Sequence, residues 1–157
     1  MPDHAPATPQ LSHTATLRIE VGSPVEVGVT SRGIRRVIPI TGGRVTGPLM
    51  QGEIIPGGAD FQVITSTTDT ELEARYVLRT DQDELVYVTN WGLRTGTVED
   101  IERLRQDLPV DPDRIYFRTA PRFETAAPRL AELNRRLFIG VGTRRPDAVL
   151  LDVFMVQ

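Results

Sequence analysis

Leu72-Glu73-Ala74-Arg75-Tyr76-Val77-Leu78-Arg79-Thr80, then Asp81-Gln82-Asp83-Glu84, then Leu85-Val86-Tyr87-Val88-Thr89-Asn90-Trp91 reads as a β-hairpin. In the first arm Leu72, Ala74, Tyr76 and Leu78 share one face and Glu73, Arg75, Val77 and Arg79 the other. That period of two belongs to a half-buried strand. Four polar residues make the connection. In the second arm Tyr87, Thr89 and Trp91 face one way and Val86, Val88 and Asn90 the other.

The same period runs outward from the hairpin. In Thr14 to Val21 the odd positions are apolar and the even ones polar. Val25–Thr30, Ile34–Ile40, Phe61–Ser66, Ile115–Thr119, Leu137–Val141 and Val149–Val156 read as further strands. Between Thr41 and Gly58, Gly and Pro punctuate short apolar pieces, which predicts short strands broken by tight turns or bulges. Helical spacing is confined to two places. Glu99–Leu108 carries Ile101, Leu104 and Leu108 behind a Thr97/Asp100 cap, with Pro109 as the stop. A second short helix starts near Thr125 and Pro128 and buries Leu130, Leu133 and Leu137.

The sum predicts an all-β, mostly antiparallel β-barrel with one to three short helices. A barrel is preferred to a sandwich because closure removes exposed edges and clustered Gly lets strands bend at corners. Residues 1–13, with Pro2, Pro6 and Pro9, read as an extended tail, and residues 14–157 as a single barrel domain.

Composition excludes more chemistry than it suggests. The chain has 157 residues, 39% of them hydrophobic, and a net charge of −3. One domain of that size buries a substantial core. There is no Cys, so disulfides, thiolate nucleophiles and thiolate metal sites are out. All 18 basic residues are Arg, which removes Schiff-base chemistry and the phosphate-loop lysine. The only histidines, His4 and His13, lie in the tail, so a Ser-His-Asp triad in the barrel body is out. No cofactor and no metal are expected, since transition-metal sites rarely use carboxylates alone. Charge balance leaves no footprint for nucleic acid. No signal peptide and no apolar run of about 20 residues is present, so the expectation is a cytoplasmic protein without a membrane partner.

The stretch Gly47-Pro48-Leu49-Met50-Gln51-Gly52-Glu53-Ile54-Ile55-Pro56-Gly57-Gly58-Ala59-Asp60-Phe61-Gln62 resembles a family known as domain of unknown function 3237. Ala74-Arg75-Tyr76, Val88-Thr89-Asn90-Trp91-Gly92, Tyr116 to Thr125 and Leu133 to Gly142 are similar in the same order. The resemblance implies a calycin-like barrel with an internal cavity and brings no established activity. The chain departs from the pattern at Asp83-Glu84, where Asp-Gly is expected in the turn, and at Phe61, where Trp is usual.

Carboxylate, guanidinium, phenol and amide groups remain to carry chemistry. Gly57-Gly58 lets the backbone turn sharply and present Asp60, either as a general base at a cavity mouth or as a turn residue bonding local N–H groups. Arg75 is either a buried cation paired with a carboxylate such as Asp60 or Glu124, or a solvated outer residue. Asp60 and Arg75 are the catalytic candidates. Asn90 offers a donor and an acceptor to a ligand, and Trp91 is either core or a stacking platform. Tyr87 shares the Trp91 face. Tyr116 and Arg118 share another, where Arg118 fits a carboxylate clamp. Glu124 and Asn134 complete the ligand-binding set, Glu124 having helix capping as its alternative role.

These readings predict a small-molecule-binding barrel. Its expected chemistry is cofactor-independent isomerisation, cyclisation or hydration of a small carbonyl or phenolic metabolite. Asp60 serves as base, and Arg75, Asn90 and Arg118 hold developing negative charge. The alternatives are a non-catalytic carrier or sensor with the same cavity, and a structural protein with a filled interior. A homo-oligomer is compatible with either.

Overall fold

The computed structural model describes residues 4–157. Nine strands follow in chain order: β1 (Leu11–Val21), β2 (Val25–Thr30), β3 (Gly33–Thr46), β4 (Gly52–Ile64), β5 (Asp69–Thr80), β6 (Leu85–Thr95), β7 (Tyr116–Thr125), β8 (Phe138–Arg144) and β9 (Ala148–Val156). One α-helix, α1 (Val98–Arg105), and two 3-10 segments, Pro112–Arg114 and Pro128–Asn134, interrupt them. Every pairing is antiparallel, and β1 pairs with both β9 and β3, so eight strands close into a barrel. The short β2 pairs with β3 alone. The barrel expectation holds. The tail boundary moves: Leu11, Ser12 and His13 already pair with Val156, Met155 and Phe154, so the barrel starts three residues early. Residues 1–3 of the predicted tail lie outside the described residues.

The Gly-rich stretch does not break into short strands. It forms the long arms β3 and β4, each bent in place. Between Ile55 and Ala59, β4 advances four residues while β5 advances two, from Val77 to Arg75. The bulge therefore adds two residues and keeps the phase, so even-numbered side chains point inward on both sides of it. Gly57 holds φ +121° there, and a Cβ on Gly58 would press into the Arg75 carbonyl oxygen and lie 2.7 Å from Tyr76 Cβ.

Helix α1 begins as expected, with the Thr97 side chain accepting from the Asp100 N–H at 3.1 Å. It ends at Arg105 rather than Leu108. Asp107 takes φ +55°, its N–H bonds the Leu104 carbonyl, and the Leu108 N–H bonds the Arg103 carbonyl. These two bonds reverse the chain before Pro109 is reached.

The interior is divided. One end is packed solid by Leu17, Met50, Ile54, Leu78, Leu130 and Leu133, none more than 2% exposed. Phe123 and Phe138 meet edge to face there at 4.9 Å. Leu130 and Leu133 come from the 3-10 segment, which plugs this end. An ion pair fastens the plug: Arg129 donates to Glu84 Oε1 at 2.6 Å and to the Leu49 carbonyl at 3.1 Å. Glu84 also accepts from Thr80 Oγ1 at 2.8 Å. This is the turn in which the resemblance leads to an expected Asp-Gly. Asp83 takes the left-handed conformation at φ +60°, and Glu84 uses its side chain as an anchor. No helix among the described residues is long and apolar enough to cross a membrane.

Candidate functional site

The opposite end of the barrel is open. Inward positions of adjacent strands fall in rows across the sheet. Asp60 of β4 stands opposite Ala74 of β5, Ala74 opposite Asn90 of β6, and Asn90 opposite Pro121 of β7. Strands lie about 4.8 Å apart, so Asp60 and Asn90 flank a gap over the small Ala74 with backbones about 10 Å apart. One row nearer the mouth, Arg36 faces Gln62 and Gly92 faces Thr119. Beyond them Arg94 lies opposite Phe117 and Thr70.

Two adjoining spaces result, with Val21, Asp60 and Val149 in the walls of both. A mouth of about 420 Å³ is bordered by Arg36, Asp60, Gln62, Arg94, Arg105 and Arg144 among others. Beneath it lies an inner chamber of about 40 Å³, lined by Ile40, Asp60, Leu72, Ala74, Asn90 and Thr119 with apolar neighbours. Asp60 borders both.

Several polar side chains in this zone are enclosed and short of partners. Gln62 Nε2 donates to Asp60 Oδ2 at 2.8 Å, while Asp60 Oδ1 is enclosed without a hydrogen bond. Gln62 Oε1, Asn90 Oδ1, Thr119 Oγ1, the Tyr76 hydroxyl and Arg94 Nε are likewise enclosed and unpartnered. Native interiors satisfy nearly all such atoms, so their grouping around these two spaces marks this end of the barrel as the candidate site. Burial raises the Asp60 pKa above the usual carboxylate range, against the lowering effects of the Gln62 hydrogen bond and the charge of Arg94. Burial also raises the Tyr76 phenol, helped by the charge of Asp60, so Tyr76 stays a donor at neutral pH. Arg94 is pushed down to about 10, by burial first and by the neighbouring cation Arg144 next, and remains cationic at neutral pH. Its guanidinium carbon sits 5.7 Å from the Phe117 ring centre.

Of the residues singled out from the sequence, Asp60 and Asn90 meet in this cavity. The others do not. Arg75 points to the outside of the barrel, where it pairs with Glu73 at 2.8 Å, half exposed. The expected Asp60–Arg75 pair is absent because Arg75 stands opposite Ala59, one residue out of phase with Asp60. Tyr87 and Trp91 are also outside, Trp91 donating to Glu71 at 2.9 Å. Tyr116 and Arg118 stack on the outer wall at 5.4 Å. Glu124 is exposed, borders neither space and caps no helix. Asn134 is structural: its amide accepts from the Thr125 N–H at 2.9 Å and donates to the Thr125 carbonyl at 3.0 Å, fixing the plug to β7. Phe61 is on the outer wall too, so the departure from Trp there leaves the cavity unchanged.

Gln62, Arg94 and Thr119 also line the two spaces and Tyr76 is buried near Asp60, and the sequence reading missed all four. Their signal was present. Val86, Val88 and Asn90 already shared a face, and extending that period by four residues reaches Arg94.

The chain from residue 9 to 156 matches the model of the family "Protein of unknown function (DUF3237)". The chain belongs to that family. It is similar to a conserved protein of unknown function from Rhodopseudomonas palustris, with 42% identity over 98% of this chain and 100% of that one, TM-score 0.92. A beta-barrel like protein from Acinetobacter baumannii is 34% identical over 99% of this chain and 100% of its own, TM-score 0.86. An enzyme from Penicillium herquei shares the fold at 17% identity, covering 98% of both chains, TM-score 0.74.

Proposed function

We propose that this protein binds a small carbonyl or phenolic metabolite in the open end of the barrel and isomerises, cyclises or hydrates it without a cofactor. The observation that carries this reading is Asp60. Its free Oδ1 lies at the junction of mouth and chamber, in a pocket that raises its pKa. A carboxylate so raised is a stronger base than one in water, and its working range moves toward neutrality. Asp60 takes a proton from an O–H, or from a C–H beside a carbonyl, and returns it at the product atom. The charge developing on the substrate oxygen meets the Asn90 amide, which lines the chamber, and the buried, unpartnered Tyr76 hydroxyl near Asp60. The fold shared with a fungal enzyme is consistent with catalysis on this scaffold.

The test is hydrogen–deuterium exchange at carbon beside the carbonyl in a panel of small diketones and hydroxyphenyl ketones, followed by NMR in D₂O. Wild type is expected to accelerate exchange for at least one class, and Asp60→Asn to lose that acceleration while still binding. Binding of the panel without any exchange assigns the cavity to a carrier instead. Native mass spectrometry of protein purified from its own host identifies what the cavity holds.

A further inference from the structure

Arg94 is a buried guanidinium with no carboxylate within ion-pair distance among the described residues, while its neighbours at the mouth are mostly provided for. Arg36 pairs with Glu26 at 2.9 Å and Arg144 with Asp107 at 3.2 Å. Arg144 also donates to the Leu104 carbonyl, which ties the end of α1 to the rim. Asp147, at the same rim, is taken by Arg18 at 3.2 Å. The mouth is bordered by five arginines and three aspartates. Asp60 is the only one of the three aspartates without an arginine partner, and burial favours its neutral form. An isolated buried cation is costly, and a fold that keeps one is normally matched by an anion. Arg94 sits over the Phe117 ring at 5.7 Å, and its Nε has no partner in the protein, so its N–H groups are left to meet a ligand. A planar fork fits a carboxylate with two parallel hydrogen bonds.

We propose that the mouth is a carboxylate subsite, in which Arg94 holds the acid group of an organic-acid substrate and so directs its other end toward Asp60 and the chamber. This rests on the proposed function for the identity of the reacting end, and not for the anion site itself. The rim arginines supply a positive field that draws the acid in. A mouth of about 420 Å³ has room for a small aromatic or branched acid.

The probe pair is benzoate and its neutral isostere benzamide, titrated against ¹⁵N-labelled protein with the Arg94 Nε–H resonance as readout. Benzoate is expected to shift that resonance saturably, at least tenfold more tightly than benzamide, and to weaken as salt is raised. Arg94→Met should lose at least tenfold in benzoate affinity and Arg94→Lys should recover part of it. Met replaces an uncompensated charge with an apolar chain of similar length, so the variant is expected to fold. If it does not, the wild-type salt dependence and the benzamide comparison still decide. Equal binding of benzamide, no movement of the Arg94 resonance with either probe, or displacement of benzoate by an equal concentration of inorganic phosphate would each overturn the carboxylate subsite. Failure of the catalytic reading looks different: Asp60→Asn keeps full exchange activity while benzoate still shifts Arg94.

Discussion

At the scale of single residues, burial makes Asp60 a cost to stability at neutral pH. Its folded pKa lies above its unfolded value because burial disfavours the charged form. Stability linked to this group is therefore fully present below the unfolded pKa and is lost as pH rises through the folded one. At neutral pH the ionised carboxylate is a net cost. Asp60→Asn, whose amide still fits beside Gln62, is expected to raise the melting temperature by roughly 2–4 °C at pH 7, the scale of about 1 kcal/mol in a chain of this length. The gain should shrink as the pH is lowered. A scan in which the variant melts below wild type at pH 7 would show that Asp60 is a structural turn residue. Arg75 marks the opposite case. As an exposed residue bonded to its strand neighbour Glu73, it should tolerate Arg75→Ala with turnover intact and a melting shift within about 1 °C.

At the scale of elements, the strands were legible and their inner faces were not. Period two fixes which residues of β5, β6 and β7 share a face, and those sets are right. It cannot choose between faces when the cavity end reverses the usual amphipathic order. There the inside carries Asp60, Asn90 and Arg94, and the outside carries Trp91 and Tyr116. Register decides, and register depends on closure, which no local pattern encodes. The bulge in β4 separates two uses of glycine. Gly58→Ala drives a methyl group into the backbone of β5 and is expected to cost about 1–3 kcal/mol or more by denaturant unfolding. Gly57→Ala meets nothing within 4 Å and should cost only the left-handed strain, about 1–2 kcal/mol. Similar costs at the two positions would mean that β5 yields to the added atom. The anchor of the plug has its own pH signature. Arg129 holds the Glu84 pKa below the usual carboxylate range. The stability it supplies is present above the unfolded glutamate pKa and is lost as pH falls through the folded value. Glu84→Gln should lower the melting temperature at pH 7 and flatten the acid limb below about pH 4.5. Parallel acid limbs in the two proteins would remove Glu84 from that transition.

At the scale of the whole molecule, the barrel is half core and half vessel, and the two halves should respond oppositely to substitution. The closed end is held by packing, so Leu133→Ala should cost about 2–5 kcal/mol and leave the affinity of the mouth unchanged in the fraction that remains folded. The chamber end contains space that packing has not used. Ala74 stands between Asp60 and Asn90 and lines the chamber of about 40 Å³. A valine there projects two methyl groups into that space without altering either polar neighbour. Filling an apolar gap usually stabilises, by about 0.5–2 kcal/mol. Ala74→Val is therefore expected to melt at or above wild type, to bind benzoate at Arg94 as before, and to lose proton exchange, because the reacting end no longer reaches Asp60. Those three readouts separate the parts of the site. Lost stability would show that the chamber is already full. Lost benzoate binding would place the acid group in the chamber rather than at the mouth. Retained exchange in a stable Ala74→Val protein would remove the chamber from the reaction and leave Asp60 acting from the mouth alone.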